Sequence, residues 1–378
     1  MIIPLMTLIH SLIIIHLSSL DKVYLNYFIN KLNKYSIYRK PKYILLFDYI
    51  YSPVCEDKNS FIIFQYYQKN NNNEAYYVLN EKTELYKLLL KQNKTNNIIP
   101  YKNVNHNEHL FHYILNSKII IQSYALFWFQ IIVSYVDYLK FLYICHAVNY
   151  FKISIIQEQL SKLTKSKQNI IVASPYEFYL YKKLNLYEEK SMTIGGLARY
   201  DRFQYNKKNL SEKCCILISF TYRSFKNSFF RKSLLIFIQH HNDVKRKRNI
   251  NIPSYVKYIS QKYLAYYIKK CSLLITDFSS ISFDFMFQNK PVLFYHLDKY
   301  DKLDFKEKEY MKIDYNNSIY YNNIYSDHHS LVNKIKYYVK KNFVLENGLA
   351  KKYKTLFYLK SNITQKIVEK INNIIKKD

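Results

Sequence analysis

Short apolar runs at regular intervals constrain this chain more than any other feature. YILLFDYI, SFIIFQYY, AYYVLN, KIIIQS and FLYICHAV are rich in Ile, Tyr and Phe, and polar stretches of helical length separate them. This rhythm predicts an α/β fold with helices between the strands of a sheet. QNIIVASPYEFYLYKKLNL puts a further strand ahead of Ser174-Pro175, where proline suits the first turn of a helix. A second series runs through CCILISF, LLIFIQHH, SLLIT and PVLFYHL, and Lys-rich amphipathic helices follow from about Ser330.

At 378 residues the chain is too long for one typical core and suits two domains. The polar stretch NKKNLSEK reads as a linker between the two series. The expected organisation is an N-terminal segment over 1–40, a first α/β domain over 41–210 and a second over 211–378. The Asn run at 70–73 reads as a low-complexity loop.

Lys and Arg number 57 against 28 Asp and Glu, a net charge of +29. That excess favours anionic partners: phosphorylated substrates, an acidic membrane surface or nucleic acid. The lysines are scattered over both halves and form no basic stripe interleaved with aromatics, so no nucleic-acid partner is expected. A joint abundance of Lys, Asn, Ile and Tyr beside only 3 glycines points to a compositional bias behind part of the charge. Five cysteines, with no C-x-x-C pair and no zinc-type Cys/His spacing, predict neither a disulfide framework nor a metal site and fit a reducing cytoplasm.

The opening MIIPLMTLIHSLIIIHLSSL lacks the basic n-region of a secretory signal. His10, Ser11, His16 and Ser18 interrupt its apolar run, where a bilayer span needs roughly 20 apolar residues. With the basic, aromatic KVYLNYFINKLNKYSIYRK behind it, the segment reads as an interfacial helix on the cytoplasmic face of a membrane.

Ligands of open α/β sheets bind beyond the carboxyl ends of the strands, so the residues after each apolar run are the ones to inspect. In LLITDFSSISFDFMFQNKPVLFYHLD the strand SLLIT runs into Asp277 and Ser279-Ser280, which read as N-cap groups for a helix over ISFDFMFQN, and Pro291 stops that helix before the strand VLFY. A helix N-terminus flanked by hydroxyls suits a phosphate or diphosphate, although capping alone needs just one of these residues.

The same stretch resembles the signature of the CDP-glycerol:poly(glycerophosphate) glycerophosphotransferase family, in which a strand enters T-D-[YF]-S-S-x-x-F-D and then K-P-[VI]-x-[FY]-Y-x-x-D. Gly196-Leu197-Ala198-Arg199-Tyr200-Asp201 resembles the family's G-L-P-R-x-D block with Ala198 for Pro, and ILISFTYR resembles I-L-x-x-P-T-x-R with Phe220 for Pro and Arg223 at its end. FLYICHAVNYFK resembles the apolar strand before H-G-[VIT], with His146 in place and Ala147 for Gly. LLIFIQHHND brings His240 and His241 to a strand end where the family carries a second essential His. The resemblance covers roughly residues 40 to 345.

The resemblance implies the glycosyltransferase B architecture, two Rossmann-like domains facing a cleft with the donor in the C-terminal half. It also implies transfer of a polyol phosphate from CDP-glycerol or CDP-ribitol to a lipid-linked glycan acceptor at the cytoplasmic membrane surface, with no cofactor. His146 would be the base, and His240 or His241 would stabilise the departing charge. Arg223, Thr276, Asp277, Ser279, Ser280 and Asp284 would bind the donor, and Gly196, Arg199 and Asp201 would shape the hinge. Such a transfer needs a base for the acceptor hydroxyl and cationic or N–H groups for the phosphate charge, which these residue types supply. Cys145 beside His146 does not read as a nucleophile paired with it, because adjacent strand residues face opposite ways. Two other readings stand beside this one: a nucleotide-sugar glycosyltransferase of the same architecture, and an inactive relative carrying the departures Ala147, Ala198 and Phe220.

Overall fold

The computed structural model describes residues 41–48, 58–101, 108–123, 138–145, 148, 153–154, 168–203, 215–220, 234–239, 254, 256–277, 279–295, 311–312, 323–357 and 361–376. The segment 1–40, with the interfacial helix expected there, and the polar linker lie outside these residues. Among the described residues no helix is long and apolar enough to cross a membrane.

The first half contains β1 (Tyr43–Phe47), α1 (Asn59–Lys69), β2 (Ala75–Asn80), α2 (Glu84–Lys91), β3 (Ile98–Tyr101), α3 (Glu108–Leu115), β4 (Ser117–Gln122), β5 (Lys140–Ile144), β6 (Ile153–Ser154), β7 (Gln168–Val172), α4 (Pro175–Lys183) and β8 (Met192–Ile194). The second contains β9 (Cys215–Phe220), β10 (Leu234–Gln239), β11 (Val256–Ile259), α5 (Leu264–Lys270), β12 (Leu273–Thr276), α6 (Ile281–Phe287), β13 (Val292–Tyr295), β14 (Met311–Lys312), β15 (Ile324–Tyr325), α7 (His328–Lys340), α8 (Asn347–Leu356) and α9 (Ile363–Lys376).

Two sheets follow. One has the order β3-β2-β1-β4-β5-β7-β8 and the other β11-β10-β9-β12-β13-β15. Every described pairing in them is parallel. Parallel neighbours need a crossover connection, which is why helix-length spacers separate the runs in the sequence. Each sheet starts in its interior and grows outward both ways, leaving a topological switch point between β1 and β4 and another between β9 and β12. The antiparallel pair β6–β14 joins backbone of the two halves.

Local signals account for most of these elements. At α4, Pro175 occupies the first turn and the Ser174 side chain accepts the Glu177 N–H at 3.1 Å. Glycine is scarce, and asparagine takes over the left-handed positions that close turns and helix ends. Asn71, Asn93, Asn97, Asn185, Asn289, Asn342 and Asn362 all have positive φ. One run departs from the strand-like reading: SFIIFQYY lies inside α1. Its first N–H groups are taken up by the Asp48 carboxylate, Ser60 at 3.4 Å and Phe61 at 3.0 Å, and its aromatics Phe61 and Phe64 pack on Tyr77 of β2. A buried helix that is apolar almost all round looks like a buried strand in sequence.

The Lys-rich helices fall where expected, and the last of them returns to the first half. Ile363, Ile367 and Ile371 of α9 are fully buried, Tyr67 donates to Asn372 at 3.3 Å, and Lys140 Nζ donates to the Ile374 carbonyl at 2.8 Å. Glycine permits this approach. Gly196, at φ +78, would place a Cβ 3.1 Å from Ile363 Cγ2. One apolar cluster consequently runs through both halves.

Candidate active site

The carboxyl edge of the second sheet carries the Asp-Phe-Ser-Ser stretch. Thr276 ends β12 opposite Ser219 of β9, at the switch point, and its hydroxyl donates to the Ser219 carbonyl at 2.5 Å. Asp277 is buried, and Ser279 and Ser280 are half-buried at the start of α6. Ser280 holds the N-cap position without a side-chain cap bond. The turn is closed instead by Ser282, whose N–H and hydroxyl both donate to the Ser279 carbonyl, at 3.1 and 2.8 Å. Ser280 thus caps α6 by position and not through its hydroxyl, and the Ser282 hydroxyl helps to close the loop.

Behind this turn, Gln288 Nε2 donates to the Asp284 carbonyl at 2.8 Å, and Asn289 reverses the chain at φ +54. Lys290, the Lys of the Lys-Pro pair, donates to the Ile268 and Lys269 carbonyls at 2.8 and 2.6 Å and so locks the end of α5. Burial pulls its ammonium down to about 8.

Two of the motif blocks meet. Arg199 donates through Nη2 and Nε to Asp284 Oδ1, at 2.7 and 3.1 Å, with side-chain exposures of 13% and 6%. Tyr200 stacks on Phe287 with ring centroids 4.2 Å apart, and Phe357 stands edge-on to both. Asp201 accepts the N–H groups of Ile363 and Thr364, at 3.0 and 2.7 Å, and thereby caps α9. The Gly196-to-Asp201 block, at the end of the first half, thus grips α6 through Arg199 and Tyr200 and α9 through Asp201.

At the switch point of the first sheet lies a polar cluster that the motifs did not single out. Asp48, directly after β1, accepts from Ser60 N–H, Phe61 N–H, the Tyr77 hydroxyl at 2.9 Å and the Ser123 hydroxyl. Complete burial outweighs these donors and the nearby Lys58, and pushes the carboxyl up to about 6. Beside it, Asn59 Nδ2 donates to the Cys145 carbonyl at 2.9 Å, and Asn59 Oδ1 accepts the Arg199 N–H at 3.0 Å. Asp48 was within reach of sequence reasoning, as the polar residue that ends the YILLF run; Asn59, directly before a run read as strand, was not.

His146, Arg223, His240 and His241 lie outside the described residues. The elements that lead to them are described: Cys145 follows β5, Phe220 ends β9 and Gln239 ends β10. In the second sheet β10, β9 and β12 are successive neighbours. Among the described residues there is no group of three or more His, Cys, Asp or Glu that could hold a metal ion. The cysteines among them, Cys145, Cys215 and Cys271, are buried.

Fold and site define a two-sheet parallel α/β protein whose signature turn sits at a switch point and is clamped to the other half by a buried ion pair. Residues 212–373 match the model of the family described as CDP-Glycerol:Poly(glycerophosphate) glycerophosphotransferase. The minor teichoic acid biosynthesis protein GgaB of Bacillus subtilis (strain 168) is 26% identical over 375 residues, covering 85% of this chain and 39% of its own length. The teichoic acid glycerol-phosphate primase of the same organism is 25% identical over 162 residues, covering 37% of this chain and 42% of its own. The chain therefore spans about two fifths of the length of these curated relatives. A structure of a variant of the wall teichoic acid polymerase TagF with CDPG superimposes with a TM-score of 0.67 at 15% identity, over 94% of either chain. That likeness establishes a TagF-like fold.

Proposed function

We propose that the chain transfers a polyol phosphate, glycerol phosphate in the first place, from a CDP-polyol to a lipid-linked or growing cell-surface glycan, and releases CMP. The observation that carries this reading is the family match over 212–373. It spans Arg223, His240, His241, Thr276, Asp277, Ser279, Ser280 and Asp284, the whole donor site read from the sequence. The name of GgaB, a teichoic acid biosynthesis protein similar to most of this chain, favours a teichoic-acid-type acceptor.

In this reading the halves 41–210 and 211–378 are Rossmann-like domains facing a cleft in the glycosyltransferase B manner. The CDP-polyol lies on the carboxyl edge of the second sheet, where switch points bind ligands. His146 takes the proton of the acceptor hydroxyl; the hydroxyl oxygen bonds to the polyol-bearing phosphorus; the bond from that phosphorus to the bridging oxygen breaks, and CMP leaves with the electron pair. Arg223, one of His240 and His241, and the Ser279-Ser280 turn meet the charge on the diphosphate. Thr276 and Asp284 serve by holding that turn, since their described bonds go to Ser219 and Arg199. The net charge of +29 and the apolar start of the chain suit an anionic, membrane-tethered acceptor and a peripheral place on the cytoplasmic face of the membrane.

A donor panel tests the reading. With a lipid-linked or phosphorylated glycan primer, purified protein is expected to release CMP from CDP-glycerol or CDP-ribitol and to leave nucleotide sugars intact. Turnover of a nucleotide sugar with silence on both CDP-polyols would overturn the substrate.

A further inference from the structure

We infer that Asn59 is a positioning residue, holding the strand end before His146 in register with the signature turn of the second half; this rests on the reading just given. Three links cross the molecule. The Cys145 carbonyl accepts from Asn59 Nδ2 at 2.9 Å, Asn59 Oδ1 accepts the Arg199 N–H at 3.0 Å, and the Arg199 guanidinium donates to Asp284 Oδ1 at 2.7 and 3.1 Å. The first link belongs to the peptide group that leads into His146, and the last belongs to α6, directly after Ser279-Ser280.

The chemistry of the side chain fits this task. One head must donate to a carbonyl and accept from an N–H at once, which a carboxamide does and neither a carboxylate nor an ammonium can. The carboxamide is itself held firmly. Asn59 is 1% exposed and is the first residue of α1, and Asp48 takes up the N–H groups of the next two residues. Buried and bonded at both its nitrogen and its oxygen, such a group has little freedom to rearrange. A shift of the Cys145 carbonyl relative to α6 therefore strains or breaks a bond in the series. Transfer chemistry is sensitive to such shifts, because reacting groups displaced by about 1 Å lose about 100-fold in rate.

The test compares three variants of the full chain. Asn59→Asp keeps an acceptor for the Arg199 N–H but turns an oxygen toward the Cys145 carbonyl; Asn59→Ala removes both bonds. Ser60→Ala changes the neighbouring buried residue, whose hydroxyl has no hydrogen-bond partner among the described residues, and serves as control. With CDP-glycerol and primer, both Asn59 variants are expected to lose about 10- to 100-fold in kcat, with KM for CDP-glycerol within about threefold of wild type, while Ser60→Ala matches wild type. Amide hydrogen exchange, read at temperatures where each protein is folded, should rise in both 140–145 and 281–287 for the Asn59 variants. Wild-type kcat in both, or faster exchange confined to α1, overturns the inference. If wild type turns over no CDP-polyol, the functional reading fails separately, and exchange alone decides: joint loosening of the two segments supports the register role, and unchanged exchange at either contradicts it. If Asn59→Ala fails to fold, Asn59→Asp, which keeps one of the two bonds, carries the same measurements.

Discussion

Asp48 carries a sharp conflict between burial and charge. Desolvation raises its carboxyl from 3.8 to about 6 against the pull of Lys58 and four donors. The sign follows from the raised value: the folded state holds a proton that the unfolded state has already released between pH 4 and 6. The resulting stability is complete below pH 4 and is lost as pH rises through 6, a swing of about 3 kcal/mol. Unfolding free energy measured from pH 4 to 7 should therefore fall with pH more steeply for wild type than for Asp48→Asn; parallel curves would contradict the assignment. At this scale the sequence was legible in a particular sense. The signature around Thr276 to Lys290 stood out because so many of its side chains have one fixed task, yet several of those tasks are structural. Thr276 ties β12 to β9, Lys290 locks α5, and Asp284 pairs with Arg199. Motif matching finds such residues without telling which of them touch a ligand.

Elements were legible where a local signal defines them. β7 and α4 follow from QNIIV and Ser174-Pro175, and β12, α6 and β13 follow from the apolar runs around Asn289 and Pro291. SFIIFQYY was misread because α1 is enclosed on most sides and so lacks a polar face. The course of α9 was not legible at all, since its docking on the first half depends on a glycine and an aspartate about 160 residues away. Those contacts yield a prediction at the element scale. Asp201→Ala removes the acceptors for two N–H groups at the start of α9 and should cost about 1 to 2 kcal/mol in thermal or denaturant unfolding. It should also speed amide exchange in 363–371 ahead of the rest of the chain. Unchanged exchange there would show that α9 is held by its apolar face alone.

At the scale of the whole molecule, two parallel sheets with switch points are tied together by the Arg199–Asp284 pair, the Tyr200–Phe287 stack and the returning α9. The rhythm of apolar runs announced two such sheets, because parallel strands require helix-length crossovers. The bonds between the halves left no periodic trace and came only from the structure. If those bonds align a base in the first half with a donor site in the second, both halves must contribute to one reaction, and His146 and the signature turn must be separable by mutation. The decisive measurement is CMP release from CDP-glycerol in the presence of primer, with CDP-glycerol binding measured in parallel, for wild type and His146→Ala. The proposed transfer predicts turnover by wild type, and in the variant a loss of about 100-fold or more with binding retained. Wild-type turnover by His146→Ala would contradict it.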